Sequence, residues 1–227
     1  MKPTKKPEKS RTKILIIDDH PMMREGLTQL IANEPDLEVC GEAGDANEGL
    51  EKISALQPNL VLSDITLPGK NGIELIKDIQ ALQAGLAILV ISMHDEAFYV
   101  ERVLRAGGRG YIMKQEGGKK IMEAIRKVLA GQIAVSEKMS AKILEVFSGR
   151  RPETASSPLE NLSDREFEIF QLIAQGSETK EIAFKLHLSP KTVEVHRANI
   201  KTKLKLNSMS ELIRFAVRWI ESQTKTG

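Results

Sequence analysis

The residues of this chain that could do chemistry are acids placed at the ends of short apolar runs. Asp18 and Asp19 follow the run ILII, and Asp64 follows VLS. If these runs are parallel strands, the three carboxylates meet at one rim, where they would repel one another unless a cation lies among them. Carboxylate ligands favour Mg²⁺. Ser92 and Lys114 follow two further runs, so the set could hold a phosphoryl group on a nucleophilic carboxylate.

The elements that would position these residues alternate along the first half of the chain. Between residues 14 and 130, short apolar runs are each followed by a stretch with helical spacing; the runs are ILII, LEVCG, NLVLS, AILVIS and GYIM. Strands that alternate with helices predict an α/β fold with a doubly wound, five-stranded parallel sheet. In such sheets, chemical groups gather at the carboxyl ends of the strands, which is where the polar residues above stand.

The motifs at these strand ends resemble those of response-regulator receiver domains, which have a flavodoxin-like fold. The likeness covers about residues 12–130 and includes the DD pair, D-x-x-L-P-G-x-N-G after the third strand, S-M-H-D after the fourth and G-Y-x-x-K after the fifth. It implies that Asp64 is the phosphoacceptor. It also implies a Mg²⁺ site whose ligands are Asp18, Asp19, Asp64 and the backbone carbonyl of Thr66.

The resemblance assigns further roles around the phosphoacceptor. Ser92 would hydrogen-bond one phosphoryl oxygen, Lys114 would pair with another, and Tyr111 would swing inward as Ser92 moves. Thr66 and His94 hold positions that modulate the lifetime of the phosphoryl group in this family. Taken singly, each residue has a plainer interpretation: an acid at a strand end caps a helix, Tyr111 is a half-buried aromatic residue, and His94 is an exposed histidine.

Beyond the predicted sheet, the sequence changes character twice. Residues 137–147 have helical spacing, and the following SGRRPETASSPLEN lacks apolar periodicity, which is typical of a linker. The pattern is then helical again, with capping-box spacing between Ser163 and Glu166. The predicted organisation is a basic tail (1–11), a receiver (12–132), a linker (133–158) and a helical domain (159–227).

Two of the C-terminal helices have the spacing of a helix-turn-helix. TKEIAFKLHL and KTVEVHRANIKTKLKL flank a break at Ser189-Pro190, although any small helical bundle shows similar periodicity. This region is basic, which suits neutralisation of DNA phosphates. The motifs L-S-x-R-E-x-E, K-E-I-A and L-S-x-K-T-V-E-V-H-R-x-N-I-x-x-K-L resemble the four-helix DNA-binding domain of LuxR-type regulators over residues 159–221. With a receiver in front, the whole chain resembles the NarL/FixJ subfamily.

The resemblance assigns DNA contacts to the second helix of this pair. The expected contacts are Lys191, Thr192, Glu194, Val195, Arg197, Asn199, Lys201, Lys203 and Lys205. We expect the last three lysines at phosphates, and Glu194, Val195 and Arg197 closer to base edges. Some relatives have lysine in place of Glu194, which leaves two interpretations open. The glutamate could accept a hydrogen bond from a cytosine amine, or it could cap the helix start.

Composition and charge exclude several classes of protein. No apolar run approaches the ~20 residues of a membrane-spanning helix, and the acids in ILIIDD are incompatible with the apolar part of a signal peptide. We therefore expect a soluble, cytoplasmic protein with no membrane partner. The net charge of +2 combines a basic start (residues 1–13), an acidic body (14–147) and a basic C-terminal part (161–227). The single cysteine, Cys40, cannot form an internal disulfide and is expected to be a small buried residue.

The predicted function is that of a DNA-binding response regulator in which phosphorylation of Asp64 controls transcription, and which is not an enzyme. Expected partners are a sensor histidine kinase, DNA with two half-sites, RNA polymerase and a second copy of the chain, paired through the last helix, SELIRFAVRWI. One rival is a Mg²⁺-dependent phosphohydrolase with an aspartyl-phosphate intermediate, although Thr66 stands where such enzymes carry a second acid. Another is a receiver with an RNA-binding or protein-binding tail.

Overall fold

The structure, a computed structural model, describes residues 11–141 and 158–224, which fall into two compact units divided between residues 143 and 144. The first unit alternates strands and helices: β1 (Thr12–Ile17), α1 (Pro21–Ala32), β2 (Leu37–Ala43), α2 (Ala46–Leu56), β3 (Leu60–Ser63), α3 (Gly72–Leu82), β4 (Ala87–Ser92), α4 (Glu96–Arg105), β5 (Gly110–Met113) and α5 (Gly118–Leu129). The strands form one parallel sheet in the order β2-β1-β3-β4-β5. The predicted doubly wound sheet is confirmed.

The sheet is held by apolar strands that are covered by helices on both faces. All four residues of β3 are buried, and so are five of the six in β4. This pattern of continuous burial is what a parallel sheet between two helix layers requires. Because β1 and β3 are neighbours, with Ile17 in register with Ser63, the residues that follow both strands emerge side by side. The strand order reverses beside β1, and in doubly wound sheets this crevice is where ligands bind.

The helices of the first unit begin at polar residues that satisfy free backbone N–H groups. Asp45 accepts hydrogen bonds from the backbone at the start of α2, Asn71 does so for α3, and Asp95 for α4. Such side-chain caps stabilise a helix by about 1 kcal/mol each. Helix α1 begins instead at Pro21, and the side chain of its capping residue, His20, accepts no capping bond. The two acids before it are therefore left for another role.

The first unit continues past the predicted receiver boundary at residue 132. Ala134 is buried and forms a parallel bridge with Gly110 of β5, and its carbonyl accepts a hydrogen bond of 2.8 Å from the Tyr111 N–H. The Ser136 hydroxyl bonds to Glu96 at the start of α4. Residues 133–136 therefore belong to the first unit, because they cover the outer edge of β5. Of the predicted helix 137–147, residues 137–141 are helical, and the rest lies outside the described residues, as does most of the predicted linker.

The second unit is helical. After a 3-10 turn (Pro158–Asn161) come α6 (Asp164–Ala174), α7 (Thr179–Lys185), α8 (Pro190–Lys203) and α9 (Met209–Thr224). The predicted packing of α7 on α8 is confirmed: Ile182, Ala183, Leu186, Val193 and Ile200 are all buried. Within the described ranges, no helix combines the length and apolar character needed to cross a membrane.

Helices α7 and α8 both end earlier than the apolar pattern predicts. His187 has a φ of 53° and Lys205 a φ of 55°, and each stands just after a helix end. The Leu188 N–H then bonds back to the Ala183 carbonyl at 2.8 Å, and the Leu206 N–H to the Lys201 carbonyl at 2.9 Å. These are the hydrogen bonds of a left-handed helix stop, which the predictions of helix through 188 and 206 missed.

Cys40 differs modestly from expectation. It lies on β2, which forms one edge of the sheet, and its side chain is partly exposed. Its thiol donates a weak hydrogen bond of 3.4 Å to the carbonyl of Ile14. An edge strand is covered less completely than a central one, which explains why this residue is not fully buried.

Candidate functional site

The carboxyl ends of β1, β3 and β5 bring a lysine between two carboxylates. The Lys114 Nζ lies 2.6 Å from Asp64 Oδ2 and 2.7 Å from Asp18 Oδ2. All three side chains are no more than 5% exposed. The other oxygen of Asp64, Oδ1, accepts a hydrogen bond of 2.6 Å from the Ile65 N–H. The predicted convergence of these residues on one rim is therefore present in the structure.

Burial and neighbouring charges shift the pKa values of Asp64 and Lys114. Burial raises the pKa of Asp64 to about 6, against the opposing effect of the Lys114 charge and with a further increase from Asp18. Burial alone would lower the pKa of Lys114, but Asp64 and Asp18 raise it above its ordinary value, so the ammonium stays charged. One ammonium thus faces two buried carboxylates, and the cluster carries an excess of negative charge that an additional cation would relieve.

The residues before α1 fit a divalent cation. Oxygens of Asp18, Asp19 and Asp64 and a ring nitrogen of His20 lie within 4.8 Å of one another. Among the described residues, Asp19 Oδ1 is buried and receives no hydrogen bond, although His20 Nδ1 lies 2.7 Å from it. A buried carboxylate oxygen without a donor is suited to binding a metal. Three carboxylates form a hard oxygen donor set of the kind Mg²⁺ prefers.

His20 was not among the residues predicted from the sequence. Its Nδ1 lies 3.2 Å from Asp18 Oδ1, and its own N–H donates to the same oxygen at 2.9 Å. Asp18 therefore accepts a bond within the turn rather than capping α1, which argues against the plainer interpretation of this acid. The only sequence indication of the role of His20 was its position next to the acidic pair.

Ser92 and Tyr111 both bind the backbone of His94. The Ser92 Oγ accepts a hydrogen bond of 3.2 Å from the His94 N–H, and the Tyr111 hydroxyl donates to the His94 carbonyl at 2.8 Å. Tyr111 is buried and stacks against Tyr99, with the ring centroids 6.4 Å apart. The aromatic ring thus already points inward, and the interpretation of Tyr111 as a half-buried residue is wrong. Burial raises the pKa of Tyr111, so its hydroxyl remains a hydrogen-bond donor.

Thr66 and His94, which follow β3 and β4, contact each other through their side chains. Their side chains form a hydrogen bond of 3.0 Å between Thr66 Oγ1 and His94 Nε2. The imidazole is partly buried, so His94 is not the plainly exposed histidine of the alternative interpretation. Burial, followed by the charge of Lys114, lowers the pKa of His94, which keeps the ring neutral. The Thr66 N–H also lies 3.4 Å from Asp64 Oδ1, so the pair is next to the acidic site.

The loop after β3 approaches its neighbours at one glycine. A Cβ on Gly72 would lie 2.5 Å from the Asp64 carbonyl oxygen and 2.6 Å from Ile65 Cα. The Gly72 N–H donates to the Ile65 carbonyl at 2.7 Å, and the buried Asn71 caps α3 beside it. Only a residue without a side chain permits the start of α3 to lie this close to the backbone of Asp64.

A second candidate surface lies on α8. The helix begins at Ser189, whose Oγ accepts a bond of 3.0 Å from Thr192 N–H, followed by Pro190. The side chains of Lys191, Glu194, Val195 and Asn199 are exposed at helical spacing and form one face. This exposed face has the form of a surface that could enter a groove of DNA.

Other predicted DNA contacts form bonds with side chains of the second unit. The Arg197 guanidinium donates to the hydroxyl of Thr179 on α7, and its side chain is only 14% exposed. The Thr192 hydroxyl bonds to Ser189 at the helix start. Lys203 Nζ lies 2.6 Å from Glu166 Oε2. These side chains therefore have structural partners that the helical pattern alone did not reveal, whereas Lys205 is exposed and Lys201 is partly exposed.

Glu166 joins the start of α6 to the end of α8. The predicted capping box is confirmed, since Glu166 N–H donates to Ser163 Oγ at 3.3 Å and Ser163 N–H donates to Glu166 Oε2 at 2.8 Å. Burial alone would raise the pKa of Glu166, but the bonds from Lys203 and Ser163 lower it below its ordinary value. The carboxylate therefore stays ionised and joins the end of α8 to the start of α6.

Helix α9 presents two faces. Leu212 and Ala216 are fully buried, and Trp219 packs edge-on against Phe170 with a centroid distance of 5.4 Å. Trp219 is thus a packing residue of its own domain. Ile213 is 42% exposed, which leaves part of the predicted pairing surface on the outside of the helix.

The chain matches two described protein families. Residues 14–126 match the response regulator receiver domain, and residues 160–216 match the bacterial regulatory proteins of the luxR family. The oxygen regulatory protein NreC of Staphylococcus carnosus (strain TM300) is 35% identical over 210 residues, which cover 91% of this chain and 97% of that protein.

Solved structures extend the likeness to proteins bound to DNA. RcsB from Salmonella enterica serovar Typhimurium, bound to promoter rprA in the presence of the phosphomimetic BeF3−, has a TM-score of 0.61 and 25% identity, covering 92% of this chain and 99% of that chain. A structure of two RcsB dimers bound to two parallel DNAs has a TM-score of 0.56 and 26% identity, covering 91% of this chain and 98% of that chain.

Proposed function

Since this chain belongs to the two-component response regulators that carry a LuxR-type DNA-binding domain, we propose that phosphorylation of Asp64 controls its binding to DNA. The observation that carries the proposal is the position of Asp64 at the end of β3, with Lys114 Nζ 2.6 Å away and two further acids beside it. This is the arrangement that a carboxylate nucleophile, a cation and a phosphoryl group require together.

The proposed phosphoryl transfer assigns a role to each residue of the site. One carboxylate oxygen of Asp64 attacks the phosphorus of the donor, and the bond between phosphorus and the donor breaks. Mg²⁺ would be held by Asp18, Asp19, Asp64 and the backbone carbonyl of Thr66, and when bound it neutralises charge on the transferred group. Lys114 then exchanges its contact with Asp64 for a phosphoryl oxygen, and the Ser92 hydroxyl donates to another.

We propose that the chain receives a phosphoryl group without being an enzyme in its own right. Family members are DNA-binding regulators. A phosphohydrolase of the haloacid-dehalogenase kind would need a second acid two residues after its nucleophile, and this chain has Thr66 there, bonded to His94.

The phosphoryl donor that we propose is a sensor histidine kinase, with RNA polymerase as the partner at the promoter. Because the target is bacterial DNA, the proposed site of action is the cytoplasm.

The proposed transmission of the signal uses Ser92 and Tyr111. Both bind the backbone of His94, so a movement of Ser92 toward a phosphoryl group changes the segment that Tyr111 holds. Ser92→Ala should remain phosphorylatable but should lose most of the phosphorylation-dependent gain in DNA affinity, a coupling of about 1–3 kcal/mol. The measurement is DNA affinity with and without phosphorylation at equal occupancy. Ser92→Thr, which keeps a hydroxyl, is the control, and equal activation of Ser92→Ala and wild type would contradict the proposal.

The lysines at the end of α8 should differ in their effects on DNA binding. Lys201→Gln and Lys205→Gln should each weaken binding to all sequences alike and reduce the slope of log affinity against log salt by about one. Lys203→Gln is the matched comparison, because loss of its ion pair with Glu166 should lower the unfolding free energy of the second unit by about 1 kcal/mol. Salt titrations and thermal unfolding separate the two effects. Unchanged slopes for both Lys201 and Lys205 would place the phosphate contacts elsewhere.

We also propose that the phosphorylated protein binds two half-sites as a symmetric dimer, in part through α9. One helix-turn-helix reads few bases, so pairing is needed for operator-level affinity. RcsB binds DNA as dimers, and Ile213 supplies exposed apolar surface on α9 here.

Ile213→Glu should leave the phosphorylated protein monomeric on a half-site, whereas Leu82→Glu, at an exposed leucine of α3, should still pair. Sedimentation on DNA distinguishes these states, and a wild-type monomer on one half-site at full affinity would overturn the dimer.

A further inference from the structure

Three side chains link the two helices of the helix-turn-helix. Thr179 is the first residue of α7, while Glu194 and Arg197 lie one turn apart on α8. The Thr179 hydroxyl donates to Glu194 Oε1 at 2.6 Å and accepts from Arg197 Nη1. Arg197 Nη1 also lies 3.5 Å from Glu194 Oε1. In this cluster, Thr179 and Arg197 hold the outward-facing side chain of Glu194 in place.

The cluster leaves one carboxylate oxygen for an external partner. Both contacts of Glu194 within the described residues use Oε1, and the side chain is 53% exposed. Arg197, in contrast, is only 14% exposed and lies against α7. A glutamate side chain that is anchored through one oxygen loses much of its rotamer freedom before it meets a ligand, which lowers the entropic cost of binding.

Charge explains why the anchoring partners include an arginine. A free carboxylate on a helix that enters a DNA groove is repelled by the phosphates on both sides. Arg197 reduces this repulsion because its guanidinium is next to the carboxylate. Glu194 is not needed to cap α8, since the helix start is already satisfied by Ser189, whose Oγ accepts from the Thr192 N–H at 3.0 Å. The capping interpretation of Glu194 is therefore wrong.

The position of Glu194 directs its free oxygen to a specific kind of ligand. It lies in the first half of α8, on the exposed face shared with Lys191 and Val195, which is the part of a recognition helix that meets base edges. An ionised carboxylate only accepts hydrogen bonds. In the major groove, guanine and thymine offer acceptors, and adenine places an acceptor beside its amino group, whereas cytosine presents an amino donor alone.

We propose that Thr179 and Arg197 are positioning residues that hold Glu194 ready to accept a hydrogen bond from the amino group of a cytosine. This inference rests on the proposed DNA binding and deepens it by naming one base and the residues that select it. The sequence predicted that Arg197 itself lies close to base edges. In this proposal Arg197 instead supports Glu194, and Glu194 contacts the base. Thr179, which no sequence motif indicated, becomes part of the specificity determinant.

The test is selection of binding sites from a library of random DNA duplexes by the phosphorylated full chain. The wild type should enrich sites with cytosine at one fixed position in each half-site. Glu194→Gln, which can donate as well as accept, should change the preferred base there to adenine. Glu194→Ala should remove the preference for cytosine at that position, a change of roughly tenfold in the relative enrichment of cytosine. The base preferences at the other positions should stay unchanged. Circular dichroism of each variant checks that the helices are intact.

The supporting residues are tested by a matched pair at Thr179. Thr179→Val removes the hydroxyl at nearly constant volume and should weaken the cytosine preference, whereas Thr179→Ser keeps the hydroxyl and should retain it. A general loss of stability would weaken binding to all sites and leave the base frequencies unchanged. Identical base frequencies for wild type and Glu194→Ala would overturn this inference alone. Failure of the wild type to enrich any sequence would overturn the DNA-binding proposal on which it rests.

Discussion

Asp64→Asn should receive no phosphoryl group from acetyl phosphate under conditions that label the wild type. The substitution keeps the size of the side chain but removes the nucleophilic oxygen that lies 2.6 Å from Lys114. It should also abolish the phosphorylation-dependent gain in DNA affinity, because no other carboxylate of the cluster stands at the end of the central strand β3. Mass spectrometry of the intact chain measures the labelling directly.

Two further measurements make this prediction specific. Asp45→Asn is the matched control, since asparagine caps a helix about as well as aspartate and α2 should keep its start. Asp45→Asn should be labelled like wild type. A labelled Asp64→Asn variant with unchanged yield would mean that another acid is the phosphoacceptor.

The raised pKa of Asp64 also predicts how the site responds to pH. Because that pKa is about 6 rather than near 4, the carboxylate takes up a proton as the pH falls through this range, and the protonated group cannot bind a cation. Calorimetric Mg²⁺ affinity of the unphosphorylated wild type should therefore fall between pH 7 and pH 5. In Asp64→Asn this dependence should be much weaker, since the titrating group is gone.

Gly72→Ala should be the most damaging single-methyl change near the site. The added Cβ would lie 2.5 Å and 2.6 Å from backbone atoms of Asp64 and Ile65, so the start of α3 or the loop after β3 must move. Overpacking of this kind costs about 1–3 kcal/mol, and more when the obstructing atoms are backbone. We expect lower unfolding free energy of the first unit and slower phosphorylation, measured by denaturant unfolding and by labelling rate.

Gly26→Ala provides the control for this substitution. Gly26 lies inside α1, and a Cβ there would meet nothing within 4 Å. Replacement of a helical glycine by alanine should leave stability unchanged or raise it by up to about 1 kcal/mol. The unfolding free energy is therefore expected to fall in Gly72→Ala and to stay unchanged or rise in Gly26→Ala. If Gly72→Ala proved as stable as wild type and equally reactive, the close approach of α3 to Asp64 would not constrain the site.

The sequence predicted those features that depend on local patterns. Strands β4 and β5 have the predicted bounds, and the Ser163–Glu166 capping box lies within four residues of chain, so spacing alone identified it. The acidic site was also predictable, because parallel strands must bring their carboxyl ends together whatever the details of packing. In each case one rule of backbone geometry was sufficient.

The features that sequence reasoning missed depend on contacts between distant segments. Lys203 finds Glu166 across 37 residues, and Thr179 meets Arg197 across 18. A lysine or arginine on a basic helix has the same pattern whether it faces DNA or a neighbouring helix, so only the packing of α6, α7 and α8 distinguishes the two. The left-handed residues His187 and Lys205 were missed for a similar reason, since neither is the glycine that usually marks a helix stop.

The bridge between Ala134 and β5 determines where the chain can be truncated to give a stable fragment of the first unit. Strand β5 is the last strand of the sheet, and the Ala134 carbonyl takes up the Tyr111 N–H that would otherwise be open. A fragment that stops at residue 132 would present this strand as a bare edge, the kind of surface on which separate molecules pair and aggregate. A fragment that runs to residue 141 keeps its own cover, including the buried Met139, and should remain monodisperse where the shorter one precipitates.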